Sequence, residues 1–255
     1  MPDTPLAITS IAAALGPLAS RFDVDVLAEC DSTNARLLVR AGAGAPSGLV
    51  VAAERQTAGR GRMGRQWHSA PGDSLTFSLL WRFPAGTALS GLSLAVGVAV
   101  AETLQTMGID KVALKWPNDV LLDGRKLGGI LVELASPAVV IGVGLNLRLP
   151  ANLTDDLRAV AAAVGRPIDR NELLARLLSG LFAVLETFAA GGFRSLRSRW
   201  TKLNAHADAS VQILSEFAAP LVGRCLAVAE DGALLIETAS GVQRVISGAV
   251  SLRSA

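Results

Sequence analysis

One stretch limits the possible folds more than any other. Residues 48–53 (GLVVAA) read as a buried strand, and they run into a glycine- and arginine-rich loop over 57–65 that contains Gly59-Arg60-Gly61-Arg62-Met63-Gly64. The spacing is G-x-G-x-x-G, as in dinucleotide-binding folds. Those folds need a helix directly after the loop and an acidic residue about 20 positions on. This chain continues Arg65-Gln66-Trp67-His68-Ser69-Ala70-Pro71-Gly72, which has no helical pattern, and it carries no acid over 79–82. A dinucleotide fold is therefore excluded. No G-x-x-x-x-G-K-[ST] occurs either, which excludes a P-loop.

What is left is a cluster of Arg55, Arg60, Arg62 and Arg65 in a chain of 255 residues whose formal net charge is only +2. Guanidinium groups bind phosphate through paired, charge-assisted hydrogen bonds. Glycines let backbone N–H groups approach an anion closely. By itself the loop reads equally as a phosphate site or as a solvated basic loop. The near-neutral balance argues against holding nucleic acid by bulk electrostatics. A non-enzymatic nucleic-acid-binding protein built on this loop is kept as an alternative of another class. Two cysteines, Cys30 and Cys225, and two histidines, His68 and His206, speak against a disulfide scaffold and a His-rich metal centre. Both cysteines are expected to be buried, in a reducing, cytoplasmic setting. The uncharged run over 83–101 approaches membrane-spanning length. Its Pro84, Gly86, Gly91 and Gly97 point instead to a turn followed by a buried helix. The apolar segment 6–20 has no basic start and is a poor signal peptide.

The remaining pattern alternates. A short helix is expected over 31–41, capped by Asp31 or Ser32 and stopped by Gly42. Strands are expected over 75–83, 112–115, 120–122, 129–134 and 139–147, with Asp123-Gly124 as a hairpin turn. A helix is expected over 89–107. The strongest helix covers 169–189, with Asp169 and Glu172 as a capping box and leucines at helical spacing. Past residue 205 come short strands with turns at Asp231-Gly232 and Ser240-Gly241. The expected fold is α/β (α+β): a mixed β-sheet domain packed with helices over 1–205, and a small C-terminal SH3-like β-barrel over 206–255.

Two more constellations stand out. Lys115-Trp116-Pro117-Asn118-Asp119 is a turn, and Gly124-Arg125-Lys126-Leu127-Gly128-Gly129 places a lysine just before an apolar strand. A lysine there could balance a developing negative charge, or it could mark a charged hairpin tip. Ser32-Thr33-Asn34 opens a helix, and capping explains only one of the three.

In order along the chain, these segments resemble the biotin protein ligases, in the form without an N-terminal DNA-binding domain. The matching text is Asp31 to Asn34, Glu54 to Trp67, Lys115 to Val120, Arg125 to Glu133, Ile141 to Asn146 and Ser247 to Arg253. Only 31 residues precede Ser32, so a DNA-binding module is not expected. One departure is Met63, where the family often has a basic residue. The resemblance implies two steps. Biotin is activated by ATP with Mg²⁺ as biotinyl-5′-AMP. It is then passed to a lysine of a biotin carboxyl carrier domain of a carboxylase. No DNA or membrane partner is implied.

By the same resemblance Ser32, Thr33, Asn34, Gln56, Gly59, Arg60, Gly61, Arg62, Trp67, Lys126 and Gly129 would bind biotin. Arg60, Arg62, Arg65, Asn118 and Asn146 would hold the nucleotide. Lys126 and Arg62 would be catalytic, and Asp119 would orient the carrier lysine. No metal is expected from the protein alone. Each has a plainer reading: Gln56 as a strand-end hydrogen bonder, Trp67 as core, Asn118 and Asp119 as turn residues. A lipoate or octanoate ligase or transferase of the same fold is the nearest alternative.

Overall fold

The computed structural model describes residues 4–150, 153–215, 219–246 and 250–254, with backbone alone at Val250, Ser251 and Ser254. Strands β1 (Asp23–Cys30), β2 (Leu49–Gln56), β3 (Ser74–Arg82), β4 (Val112–Lys115), β5 (Asp119–Leu122), β6 (Arg125–Ala135) and β7 (Ala138–Asn146) form a seven-stranded sheet in the order β1-β2-β3-β7-β6-β5-β4. β1 and β2 are parallel and the other neighbours antiparallel, so the sheet is mixed, as expected. Asp123 and Gly124 both have positive φ, which matches the tight β5–β6 hairpin expected from an Asp-Gly pair.

Helices α1 (Ile8–Leu15), α3 (Leu92–Thr106), α5 (Arg170–Gly191) and α6 (Arg197–Leu203) pack with one face of this sheet into a single large core. The uncharged run 83–101 thus splits into a turn and the first part of α3, a helix buried on nearly every side. α5 has 22 residues and by length and composition could cross a membrane. Its Leu173, Leu177, Leu181 and Leu185 are instead buried in the core, against α3 and α1. Asp169 caps it by accepting from the N–H groups of Asn171 and Glu172. The reciprocal half of the capping box is absent, because the Glu172 carboxylate pairs with Arg176 one turn on. The N-terminal segment is tied down by a buried ion pair. Arg170 bridges both Glu54 oxygens and Thr4 O, while the Leu6 N–H donates to Glu54 Oε1 at 2.8 Å.

On the opposite face α2 (Thr33–Gly42) covers the sheet, over a small cluster of Leu37, Ala41, Leu49, Val51, Leu80, Ala138 and Val140, and the short α4 (Asp155–Val160) lies against β6. Beside α2, strand pairing places side chains in cross-strand rows. Ser78, Gly142 and Leu131 form one row, and Thr76, Gly144 and Gly129 the next. Two glycines in one strand face leave a hollow there.

The C-terminal part is a five-stranded antiparallel sheet of β8 (Ser210–Ser215), β9 (Leu221–Val228), β10 (Leu234–Thr238), β11 (Gly241–Val245) and β12 (Val250–Ser254), in the order β11-β10-β9-β8-β12. The segment 247–249 of the expected C-terminal match lies outside the described residues. The two sheets meet closely. Trp116 Nε1 donates to Gly232 O at 3.0 Å, and Arg197 Nε donates to Val228 O at 2.7 Å. A Cβ on Gly232 would stand 2.7 Å from Gly91 Cα, so only glycine fits at that approach. Cys30 and Cys225 are buried and unpaired with each other, and burial pushes both thiols up.

Candidate active site

The hollow beside α2 is the inner end of a cavity that runs out under the 57–65 loop and past the β4–β5 turn. Its floor is polar. Ser32 caps α2, its Oγ accepting from the Ala35 N–H. Thr33 and Asn34 follow on the first turn and face inward. Both are buried, as are Gln56 at the end of β2 and Ser78 on β3. Gln56 Oε1 accepts the Thr33 backbone N–H at 2.7 Å and lies 3.1 Å from Thr33 Oγ1. Ser78 Oγ is 2.7 Å from Thr33 Oγ1 and 2.5 Å from Asn34 Oδ1. Asn34 Nδ2 donates to Glu133 Oε2 at 2.7 Å. The row of glycines explains why these groups fit. A Cβ at Gly142 would lie 2.4 Å from Asn34 Oδ1, and one at Gly144 would lie 2.5 Å from Trp67 Cε2. Trp67 closes the floor on that side, its Nε1 reaching Thr76 Oγ1 at 3.4 Å.

The outer part is cationic. The loop folds back on itself, with Gly61 N–H donating to Arg65 O at 2.7 Å and Trp67 N–H to Gly59 O at 2.9 Å. Between them a short turn at 62–64 places Met63 and Gly64 at positive φ. This directs Arg60, Arg62 and Arg65 to the cavity. Arg62 Nη1 donates to Asn118 Oδ1 at 3.2 Å. Burial pulls the Arg62 guanidinium below its ordinary pKa; Asp119 opposes the shift and Arg65 adds to it. Asn118 is itself clamped to β6, its Nδ2 donating to Ile130 O at 2.9 Å. Lys126 Nζ donates to Asp119 Oδ1 at 2.7 Å. Among the described residues lining the cavity, Asp119 is the one acid. No group of three or more His, Cys, Asp and Glu side chains among the described residues is placed to hold a metal.

Of the residues expected from sequence, Ser32, Thr33, Asn34, Gln56, Arg60, Gly61, Arg62, Arg65, Trp67, Asn118, Asp119, Lys126 and Gly129 all line this one cavity. Gly59 does not. It lets the loop cross, since a Cβ there would meet Trp67 O at 2.6 Å and Gln56 Nε2 at 2.8 Å. Asn146 also lies outside the lining. Its Nδ2 donates to Ala162 O at 3.0 Å and helps pin 161–165 along the ends of β6 and β7. Further lining residues were not anticipated as site residues: Lys115, Thr76, Gly142, Gly144 and, from β12, Arg253. Lys115 stands inside the quoted Lys115–Asp119 motif, and burial lowers its pKa; Asp119 opposes this, while Arg253, Lys126 and Arg65 reinforce it. The Gly142–Gly144 spacing of two was the available signal for the floor.

Comparison with known proteins agrees with this arrangement. Residues 27–146 match the model of the biotin/lipoate A/B protein ligase family, and residues 211–253 match the biotin protein ligase C-terminal domain. The bifunctional ligase/repressor BirA of Salmonella typhimurium is 40% identical over 242 residues, covering 91% of this chain and 75% of that protein. The biotin–[acetyl-CoA-carboxylase] ligase of Paracoccus denitrificans is 35% identical over 195 residues, or 69% of this chain and 78% of its own. Among solved structures, the biotin protein ligase from Aquifex aeolicus in complex with biotin and ATP aligns with a TM-score of 0.82 at 30% identity. That alignment covers 91% of this chain and 99% of that one.

Proposed function

The chain belongs to the biotin/lipoate A/B protein ligase family and is a ligase, and from that premise we propose that it activates biotin with ATP as biotinyl-5′-AMP and transfers it to a lysine of a biotin carboxyl carrier domain. One observation carries this reading: a buried floor of hydrogen-bonding side chains opens directly onto a group of lysines and arginines within one cavity. The ureido ring of biotin offers N–H donors and a carbonyl, which suits Ser32, Thr33, Asn34 and Gln56. A lipoyl or octanoyl chain offers none of these and would leave the free acceptor and donor capacity of the floor unused.

The chemistry follows from the placement. Biotin seated on the floor points its carboxylate toward Lys126 and the loop. In the first step a carboxylate oxygen attacks the α-phosphorus of ATP and pyrophosphate leaves. Positioning and charge stabilisation do most of the work in such transfers. Lys126 and Arg62 would hold the reacting oxygens, with Arg60, Arg65, Lys115 and Arg253 on the remaining phosphates. Magnesium would come as part of the ATP complex, since Asp119 is the one acid among the described lining residues. Gly61 and its neighbours would fold over the anhydride and exclude water. In the second step the carrier lysine nitrogen attacks the acyl carbon, AMP leaves and one proton is released. Asp119 would orient that incoming amine.

The test is incubation of the protein with Mg·ATP and either biotin or lipoate, following pyrophosphate release, then adding a biotin carboxyl carrier domain. Release with biotin and label on the carrier is the expected result. Release with lipoate and none with biotin would overturn the reading in favour of lipoate ligation.

A further inference from the structure

Behind the polar floor stands a carboxylate for which the proposed reaction has no use. Glu133 lies on β6, two residues past Leu131, and its Oε2 accepts from Asn34 Nδ2 at 2.7 Å. The same amide nitrogen faces Leu131 O at 3.3 Å. Carboxylate and carbonyl oxygens only accept. The Asn34 amide is therefore fixed, with Nδ2 toward β6 and Oδ1 toward β3.

That orientation dictates the next protons. Asn34 Oδ1 has none to give, so Ser78 Oγ, 2.5 Å away, must donate to it. A hydroxyl has one proton. With it committed, Ser78 Oγ can only accept across its 2.7 Å contact with Thr33 Oγ1. Were Thr33 Oγ1 to donate to Gln56 Oε1 instead, the two hydroxyl oxygens would face each other at 2.7 Å with no proton between them, a closer approach than the 3.1 Å to Gln56, so Thr33 donates to Ser78. Thr33 Oγ1 and Gln56 Oε1 are then left 3.1 Å apart with no proton between them. The reverse assignment would have Ser78 donate to Thr33 and Thr33 to Gln56. It would leave Ser78 Oγ and Asn34 Oδ1 at 2.5 Å with no proton between them, a closer and costlier repulsion. Hydroxyl protons follow the network around them, so the chain runs in one direction, from Thr33 through Ser78 and Asn34 to Glu133.

We infer that Glu133 is a positioning residue that sets the hydrogen-bond polarity of the pocket, leaving Thr33 Oγ1 and Gln56 Oε1 as a pair of acceptors for a ligand N–H. The inference rests on the biotin reading above and deepens it. A ureido N–H placed between the two oxygens relieves their mutual repulsion. A ligand without a donor leaves the two oxygens facing each other, Thr33 Oγ1 accepting nothing and Gln56 Oε1 accepting only the Thr33 N–H, and sites built this way reject such analogues strongly. Choice between the substrate types of the family then depends on a residue outside the cavity lining.

Three variants test it by pyrophosphate release, with KM for biotin and kcat read separately. Glu133→Lys places a donor where Asn34 needs an acceptor and leaves only the longer Leu131 O contact, at 3.3 Å, to hold the amide, so the amide should turn over and the chain reverse. KM for biotin should rise about 10- to 100-fold, the size expected for a mispaired buried group, with kcat at saturating biotin within about threefold. Glu133→Gln keeps an acceptor for Asn34 while removing the charge, and should restore KM to within about threefold of the unmutated enzyme. Ser78→Ala breaks the chain in its middle with a small change of volume and should raise KM as Glu133→Lys does, which keeps the test open if the lysine variant fails to fold. A folded Glu133→Lys or Ser78→Ala enzyme with unchanged KM overturns the inference. So does a Gln variant as impaired as the Lys one, since that would point to charge and not to polarity. If the unmutated enzyme releases no pyrophosphate with biotin, the biotin reading itself falls and takes the inference with it. Normal activity alongside indifferent variants sinks the inference alone.

Discussion

Lys126 offers the sharpest test of the proposed first step. Its Nζ lies 2.7 Å from Asp119 Oδ1, and its side chain is 42% exposed against 21% for Asp119. The perturbation is Lys126→Met, which keeps the length of the side chain and removes the charge. Two unit charges about 4 Å apart attract by about 4 kcal/mol at an effective dielectric near 20, and by about 1 kcal/mol in water. The half-open position of Lys126 puts it between these limits. A single donor aimed at developing charge is worth about 2.7–4 kcal/mol, or about 10²- to 10³-fold in rate. Asp119 already holds the ammonium in the resting site, so part of that interaction is an exchange of partners. The lower end, about 100-fold, is the expected loss in kcat for pyrophosphate release from biotin and Mg·ATP. The stability change should stay under about 1 kcal/mol, because a partly exposed ion pair contributes little; a thermal melt checks this. Asp119→Asn is the companion variant. It frees the ammonium, so pyrophosphate release should hold within about tenfold while transfer to the carrier domain slows. Release by Lys126→Met within about tenfold of the unmutated rate would refute the role given to this residue.

Three further outcomes follow from the packing. Gly144→Ala puts a methyl 2.5 Å from Trp67 Cε2, so the indole must move; biotin affinity should fall by about tenfold or more, and unchanged binding by calorimetry would show that Trp67 is not part of the floor. Arg170→Met leaves Glu54, partly buried beneath the N-terminal segment, without its cation. Denaturant unfolding should show a loss of about 3 kcal/mol, largely recovered when Glu54 is also made Met; a single variant as stable as the parent would contradict this. Burial lowers the pKa of His206, and Lys115 adds to the shift. Between its folded value and its unfolded value of about 6.5 the unfolded chain holds more protons, so stability should decline as pH falls through that window. His206→Gln should flatten that decline in melts taken between about pH 5 and 7, and an unaltered slope would place its origin elsewhere.

Much of this site was legible in the chain itself, because its signals are local. Ser32 as a cap, Asp123-Gly124 as a hairpin and Asp169 with its leucine stripe were read from neighbours in sequence and stand in the structure. The loop arginines were visible because charge is scarce elsewhere. What stayed hidden depends on strand order. Ser78, Gly142 and Leu131 meet under Asn34 only because β3, β7 and β6 lie side by side, and no periodicity within one strand reveals its neighbours. Arg253 reaches the cavity only because the second sheet docks on Trp116. Asn146 shows the opposite case. It was expected to hold nucleotide, and the structure gives it a partner at Ala162 O and a place outside the cavity lining. The edge strand β1 and the helices α1 and α6 were not anticipated. β1 carries acids at Asp23, Asp25 and Glu29 among its apolar residues, and α6 is only seven residues long.

The tight fit of Gly232 against Gly91, with the Trp116 bond beside it, also fixes where this molecule has room to move. A swing of the small sheet would tear open a glycine-to-glycine contact and two hydrogen bonds at once. That sheet is a jamb, and the arginine loop, whose backbone between 59 and 67 bonds to itself, stands across the opening it frames. In the proposed reaction substrate enters and activated product leaves past that loop, so any opening the reaction requires of it would bound turnover.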